Sequence, residues 1–225
     1  MEHPKTLIFD VNETLLDLSV VNQGVTEALG GNTCAARLWF RTLLHYSLVE
    51  STTGNWLPFS EIATAALQMV GRGEGVQLQE EEAQALVQPI LSAPPHADVP
   101  ESLERLQKMG YRLCVLTNSD EQALTQQLQY ADLERFFSAR YSVSQIHTYK
   151  PTLTVYEWVC REENIMPGHG MMIAAHAWDL TGAARAGMQT AFVLRTGKQW
   201  YPKGPSPTVV CTDLVHFTNQ IALRN

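Results

Sequence analysis

The chain has 225 residues, enough for one large domain or for a core carrying a smaller insertion. Hydrophobic residues make up 45% and charged ones 17%, a composition that folds rather than one that stays disordered. The net charge is −7 and no Lys/Arg block stands out, which argues against a nucleic-acid partner, since a phosphate backbone needs clustered positive charge.

Met1-Glu2-His3-Pro4-Lys5 runs straight into the apolar Thr6-Leu7-Ile8-Phe9 with no signal-peptide region between them. No stretch approaches the roughly 20 apolar residues needed to span a bilayer. A cytoplasmic protein with no membrane partner is expected. Residues 6–9 read as a short buried strand, and Asp10 follows at its carboxyl end, where open α/β sheets keep their sites.

From 18 to 95 no strand pattern is found. Leu38, Trp39, Leu43, Tyr46 and Leu48 fall mostly at helical spacing, as do Ile62, Ala66, Leu67 and Val70, then Ala83, Leu86, Val87 and Ile90. Loops are expected at Thr53-Gly54-Asn55 and at Gly71-Arg72-Gly73-Glu74-Gly75, and Pro94-Pro95 marks a return. This predicts an all-helical insertion over 18–95, with 1–17 and 96–225 forming the core.

Beyond it, apolar runs at 111–117, 171–175 and 190–194 read as strands. Helices are predicted to open at Pro100 and at Asp120-Glu121, with a third over 179–187, and Gly110 and Gly187 fit the position just past a helix end. Strand–helix alternation of this kind predicts a parallel, doubly wound, Rossmann-like sheet. Cys34, Cys114, Cys160 and Cys211 are far apart and form no C-x-x-C pair, so buried inert thiols are expected.

Four polar clusters lie at predicted strand ends: Asp10-Val11-Asn12-Glu13-Thr14, Thr117-Asn118-Ser119, Tyr149-Lys150-Pro151 and His176-Ala177-Trp178-Asp179. Parallel strands bring their carboxyl ends to one edge, so these clusters can converge. Their order, Asp then Thr/Ser then Lys then Asp, resembles the haloacid dehalogenase superfamily over nearly the whole chain. Leu38-Trp39 with Tyr46, Tyr149-Lys150-Pro151 with Tyr156, and Ala177-Trp178-Asp179-Leu180-Thr181-Gly182-Ala183 are more similar to its (S)-2-haloacid dehalogenase (type II) branch.

The resemblance implies a hydrolase that acts on a small 2-substituted carboxylic acid without a cofactor. Asp10 would be the nucleophile, forming a covalent ester that divides one difficult displacement into two steps. Thr14 would hydrogen-bond it, Lys150 would keep it ionised, and Asp179 would position Lys150 or the hydrolytic water. Thr14 also reads as a turn-stabilising residue and Asp179 as a helix cap. Thr117 and Asn118 would orient the substrate carboxylate or the leaving group. Asn12, Phe40, Arg41, Tyr156, His176 and Trp178 complete the expected substrate site. Of the aromatics in the insertion (Trp39, Phe40, Tyr46, Trp56 and Phe59), Trp39 and Phe40 have the stronger claim to it, while His45 and His147 read as structural or solvated. The branch is commonly dimeric, so a homodimer is expected on that ground alone.

The departures keep other readings open. Phosphatases of the superfamily carry a second Asp where this chain has Asn12 and a Mg²⁺-ligating Asp where it has Ala175, so Mg²⁺ is expected only if the chain is a small-metabolite phosphatase. The dehalogenase branch usually has an aromatic at 12, an Arg at 40 that helps bind halide and carboxylate, and Ser and Asn at 174 and 176. Here Phe40 takes the Arg position and Arg41 follows, turned by about 100° on a helix. His176 reads equally as a base for the hydrolytic water or as a hydrogen-bonding stand-in for Asn. A noncatalytic ligand-binding protein on the same scaffold is the third reading.

Overall fold

The computed structural model describes residues 4–223; residues 1–3, where the N-terminal reading begins, and 224–225 lie outside the described residues. The elements run β1 (Thr6–Phe9), α1 (Ser19–Ala28), α2 (Thr33–Thr53), α3 (Phe59–Gly73), α4 (Glu80–Val87), α5 (Val99–Lys108), β2 (Arg112–Thr117), α6 (Glu121–Tyr130), β3 (Ala139–Ser142), α7 (Leu153–Glu162), β4 (Gly170–Ala174), α8 (Ala177–Arg185), β5 (Gln189–Val193), β6 (Val209–Cys211) and α9 (Leu214–Ala222).

The six strands form one sheet in the order β3-β2-β1-β4-β5-β6, and every neighbouring pair is parallel. This is the doubly wound Rossmann-like arrangement that the strand–helix alternation predicts. The order reverses at β1, which pairs with β2 on one side and β4 on the other, so the crevice beyond its carboxyl end is the topological switch point. β1, β4 and β5 are buried along their whole length, because helices cover both faces of the sheet. α5 packs with α9, and α7 with α8.

Between β1 and α5 the chain builds an all-helical layer in which α2 packs on α1 and α3, and α3 on α4. Its ends meet in a narrow neck: Asp17 N donates to Pro94 O at 2.8 Å, and His96 N to Leu15 O at 2.9 Å. Local chemistry sets the helix ends. Asn32 caps α2 by accepting from the amides of Cys34 and Ala35, Gln79 and Glu82 form a capping box on α4, and Asp120 caps α6 through Ala123 N. Gly110 and Gly187 follow α5 and α8 at φ 83° and 89°, as their sequence positions predict.

Several expectations are corrected. β3 and β6 escape the apolar pattern because both are short edge strands with an exposed residue among buried ones. The expected loop at 71–75 is helical through Gly73. Gly71 belongs inside α3 because a side chain there would lie 3.0 Å from Val76 O, so the glycine permits a close approach rather than a turn. α8 begins at Ala177, two residues before the predicted start, with Asp179 in its first turn. Cys114, Cys160 and Cys211 are buried as expected, but Cys34 is exposed on the first turn of α2. Trp39 and Leu43 face the core of the helical layer, whereas Leu38 and Leu48 face solvent. Among the described residues no helix is long and apolar enough to cross a membrane.

Gly182 is the point where α8 meets the Lys150-Pro151 turn. A Cβ there would fall 2.6 Å from Pro151 Cβ and 2.7 Å from a Tyr156 ring carbon. Gly182→Ala is therefore expected to destabilise the fold by about 1–3 kcal/mol, against the gain that the same change gives in an unconstrained helix. Chemical denaturation checks the sign.

Candidate active site

Asp10 leaves β1 with its amide bonded to Ile173 O of β4 at 3.0 Å, so the sheet itself holds its backbone. Its side chain is buried and every donor around it is placed by a different strand end. Lys150 Nζ donates to Oδ1 at 2.8 Å, Thr14 Oγ1 donates to Oδ2 at 2.7 Å, and His176 Nδ1 lies 3.0 Å from the same oxygen. Thr14 Oγ1 in turn accepts from Ala175 N, and the Thr14 carbonyl is held by two bonds from Arg195, which also pairs with Asp98.

Lys150 is fully buried at its side chain and is compensated on three sides: by Asp10, by Asp179 Oδ2 at 2.6 Å and by Leu116 O at 3.0 Å. Tyr156 OH donates to Asp179 Oδ1 at 2.6 Å, so both oxygens of Asp179 are in use. The Asp179 side chain is thus committed to Lys150 and Tyr156 rather than to capping α8. Asn118 Oδ1 accepts from Lys150 N at 3.0 Å and fixes the start of the lysine turn.

On the other side of Asp10, His176 Nε2 lies 2.9 Å from Glu13 Oε2, and Lys198 Nζ bonds the same Glu13 oxygen and lies 3.3 Å from His176 Nε2. Phe40 stacks on the imidazole, with ring centroids 6.1 Å apart and planes 22° apart, and the Trp178 ring is 5.4 Å away. The Glu13 backbone sits at φ 59°, a left-handed conformation uncommon for a non-glycine residue, in the turn whose side chain reaches His176.

The electrostatics follow from these partners. Burial would raise the pKa of Asp10, but the Lys150 ammonium and His176 overcome it and hold the carboxyl well below the usual range. Burial would likewise raise Glu13, yet His176 and Lys198 bring it down to about 2. Burial would lower His176; its bonds to Asp10 and Glu13 reverse that and raise it. Lys150 is raised by Asp10 and Asp179 against its own burial. Burial, with the nearby charge of Asp10, keeps Asp179 above the usual carboxylate range despite Lys150.

The expected site residues divide. Asp10, Thr14, Lys150, Asp179, Tyr156, His176, Asn118, Phe40 and Trp178 are brought together. Thr117 is buried and its hydroxyl accepts from Ser119 N. The amide of Asn12 is taken up on both sides, donating to Ser119 Oγ and accepting from Gln127 Nε2, so it braces the loop that follows β1. Arg41 is solvent-exposed, and Lys198 lies over the Phe40 ring, 5.7 Å from its centroid. Trp39 donates to Ala63 O and, with Phe59, lines an apolar cavity of about 220 Å³ between the helical layer and the start of α6. Sequence reasoning missed Glu13, Lys198 and Arg195. Arg195 stands two residues past the end of β5, a position whose signal was available; Lys198 lies on a loop with no periodicity to place it.

The donor set does not fit Mg²⁺. Both Asp10 oxygens already accept from cationic or hydroxyl donors, and residue 175 contributes a backbone N–H rather than a carboxylate. Among the described residues no group of three His, Cys, Asp or Glu side chains is arranged to hold a metal ion.

Residues 76–193 match the haloacid dehalogenase-like hydrolase family. The chain belongs to this family. It is 28% identical to an (S)-2-haloacid dehalogenase of Pseudomonas sp. (strain YL) over 95% of this chain and 93% of that one. A solved L-2-haloacid dehalogenase superposes with a TM-score of 0.92 at 20% identity, covering 98% of this chain and all of that one. Another, from Xanthobacter autotrophicus with chloropropionic acid covalently bound, superposes at 0.88 and 20% identity over 97% and 98% of the two chains. This haloacid dehalogenase-like hydrolase thus shares its fold, over nearly all of its length, with dehalogenases.

The raised pKa of His176 couples the site to folding. Its contribution is fully present below its ordinary value of 6.5 and is lost as the pH rises through the higher folded value. Asp10 and Glu13 act in the opposite sense: their contribution is present above 3.8 and 4.5 and is lost as the pH falls toward their folded values. The difference in Tm between wild type and His176→Asn is therefore expected to be widest at about pH 5–6 and to narrow above it. Calorimetry across the range reads this directly, and a difference that grows with pH would contradict the pairing.

Proposed function

We propose that this haloacid dehalogenase-like hydrolase displaces halide from the α-carbon of a small (S)-2-haloacid, with Asp10 as the nucleophile and no metal. The observation that carries the reading is the paired state of Asp10: a buried carboxylate at the switch point, held anionic by Lys150 and His176 and oriented by Thr14. An ionised, desolvated carboxylate is the form that attacks carbon. One Asp10 oxygen forms a bond to the α-carbon while the carbon–halogen bond breaks and halide departs with the electron pair. Water then adds to Cγ of the resulting ester, the acyl–oxygen bond breaks, and the 2-hydroxy acid leaves with inverted configuration. The net reaction releases one proton.

Two buried donors stand without a partner here, Asn118 Nδ2 and Trp178 Nε1. Both belong to residues packed against the site, through Lys150 N and the His176 ring. An unpaired buried N–H is costly, and a substrate carboxylate or a departing halide would satisfy it. The covalent chloropropionic acid complex of the Xanthobacter relative supports a carbon-centred reaction. The phosphatase reading needs a proton-transferring acid at residue 12 and a cation site beside Asp10, and the residues present offer neither. The noncatalytic reading leaves the Asp10–Lys150–Asp179 cluster without a purpose that offsets the desolvation of its charges.

Asp10→Asn is expected to lower halide release from 2-chloropropionate by more than about 10⁴-fold, as loss of a nucleophile does elsewhere. In a single turnover in H₂¹⁸O, the label should enter Asp10 rather than the hydroxy acid. Label in the product alone, or EDTA-sensitive phosphate release from phosphomonoesters, would sink the reading. Asn118→Ala is expected to reduce kcat/KM by about 10- to 150-fold, the worth of one charge-assisted hydrogen bond.

A further inference from the structure

We propose that Lys198, acting through Glu13, switches His176 from an acid that holds Asp10 ionised to the base that activates the hydrolytic water once Asp10 is esterified. This rests on Asp10 as the nucleophile. Asp179, the other candidate base, has Tyr156 OH on one oxygen and Lys150 on the other, and it is entirely buried. To take a proton from water it would have to release one of them. His176 has no such commitment after the first step, because the group facing its Nδ1 is the carboxylate that becomes the ester.

The titratable groups facing His176 are Asp10, Glu13 and Lys198; its ring faces are covered by Phe40 and Trp178. In the resting site two carboxylates flank the ring and one ammonium lies beside it, so the imidazole carries a proton on each nitrogen. Alkylation of Asp10 removes one of those negative charges. What remains is Glu13, already neutralised by Lys198, and the balance no longer favours imidazolium. The imidazolium gives up one proton to solvent by way of the partly exposed side chains of Glu13 and Lys198, and the proton that the neutral ring keeps settles on Nε2, opposite Glu13.

Glu13 then does for His176 what a carboxylate does in a catalytic triad: it accepts from Nε2–H and leaves the lone pair on Nδ1, the nitrogen that faces the reacting carboxyl. Water adds to Cγ, its proton passes to Nδ1, and the ester oxygen leaves as the hydroxy acid with a proton from water. Asp10 is again a carboxylate beside an imidazolium, and the cycle is closed with one proton released overall. Phe40 fixes the ring plane, so the residue at the position of the branch's Arg orients the base, while Lys198 brings the positive charge from the loop after β5. Lys198 is a positioning residue in this scheme, since it touches Glu13 and His176 rather than the reacting atoms.

The experiment follows the Asp10 ester by intact-protein mass spectrometry during turnover of 2-chloropropionate, across pH. In Lys198→Met the uncompensated charge of Glu13 keeps His176 protonated in the ester. The adduct should therefore accumulate at neutral pH and its hydrolysis recover in alkali, with the inflection raised by about one pH unit. Lys198→Arg should restore the wild-type profile, and His176→Asn should accumulate adduct at every pH with no inflection. A Lys198→Met profile superimposed on wild type, or wild-type hydrolysis in His176→Asn, would overturn the proposal. Imidazole NMR without substrate separates this from failure of the nucleophile reading. Asp10→Asn, which mimics the lost charge, should lower the His176 pKa and Lys198→Met should raise it. If neither moves, the switch is wrong whatever the protein turns over. If both move while wild type forms no adduct and releases no halide from 2-haloacids, it is the Asp10 chemistry that falls.

Discussion

The buried ammonium of Lys150 is the constraint on which the rest of the site depends. A cation removed from water is tolerated only when opposite charge and hydrogen-bond acceptors surround it. Asp10 after β1, Leu116 O of β2 and Asp179 in α8 supply them, so one side chain ties three neighbouring parts of the sheet edge together. The same requirement explains why Tyr156 is buried with its hydroxyl on Asp179, and why Gly182 leaves room for the turn that delivers Lys150. Break the lysine contact and two neighbouring carboxylates would face each other without the cation that both of them bind.

The cluster is best understood as a balance of charge around Asp10. Three carboxylates (Asp10, Glu13 and Asp179) meet two ammonium groups and one imidazole. With the imidazole protonated the count is even, which is why His176 titrates high although burial alone would lower it. In a low-dielectric site such a balance responds strongly to the loss of a single charge. The ester proposed on Asp10 would be a loss of that kind, felt by the side chains on the Glu13 and Lys198 side.

Part of the site is legible in the sequence because the sheet makes it so. Asp10 and Asn118 directly follow β1 and β2, His176 stands two residues past β4, and these three strands are neighbours. Short apolar runs ending in polar residues therefore announce which side chains share an edge. Other features depend on direction rather than position. Glu13 stands inside the quoted Asp10–Thr14 cluster, yet nothing in its neighbours says that its backbone turns left-handed and its carboxylate returns to His176. Asn12 looks like a substrate contact until Gln127, 115 positions away, accounts for its amide oxygen.

By itself the sequence determined the parallel doubly wound sheet, the helical stretch inserted after β1, and the strand-end clusters, since hydrophobic period and chain order express these locally. Only the tertiary structure decided which cation stands near Phe40. Arg41 is adjacent in sequence but points to solvent, because one helical step turns it off the face that packs on His176. Lys198 is 158 positions from Phe40 and arrives on an irregular loop, where neither periodicity nor spacing constrains the path. Side-chain direction across such distances is set by packing, and packing is a property of the folded chain as a whole.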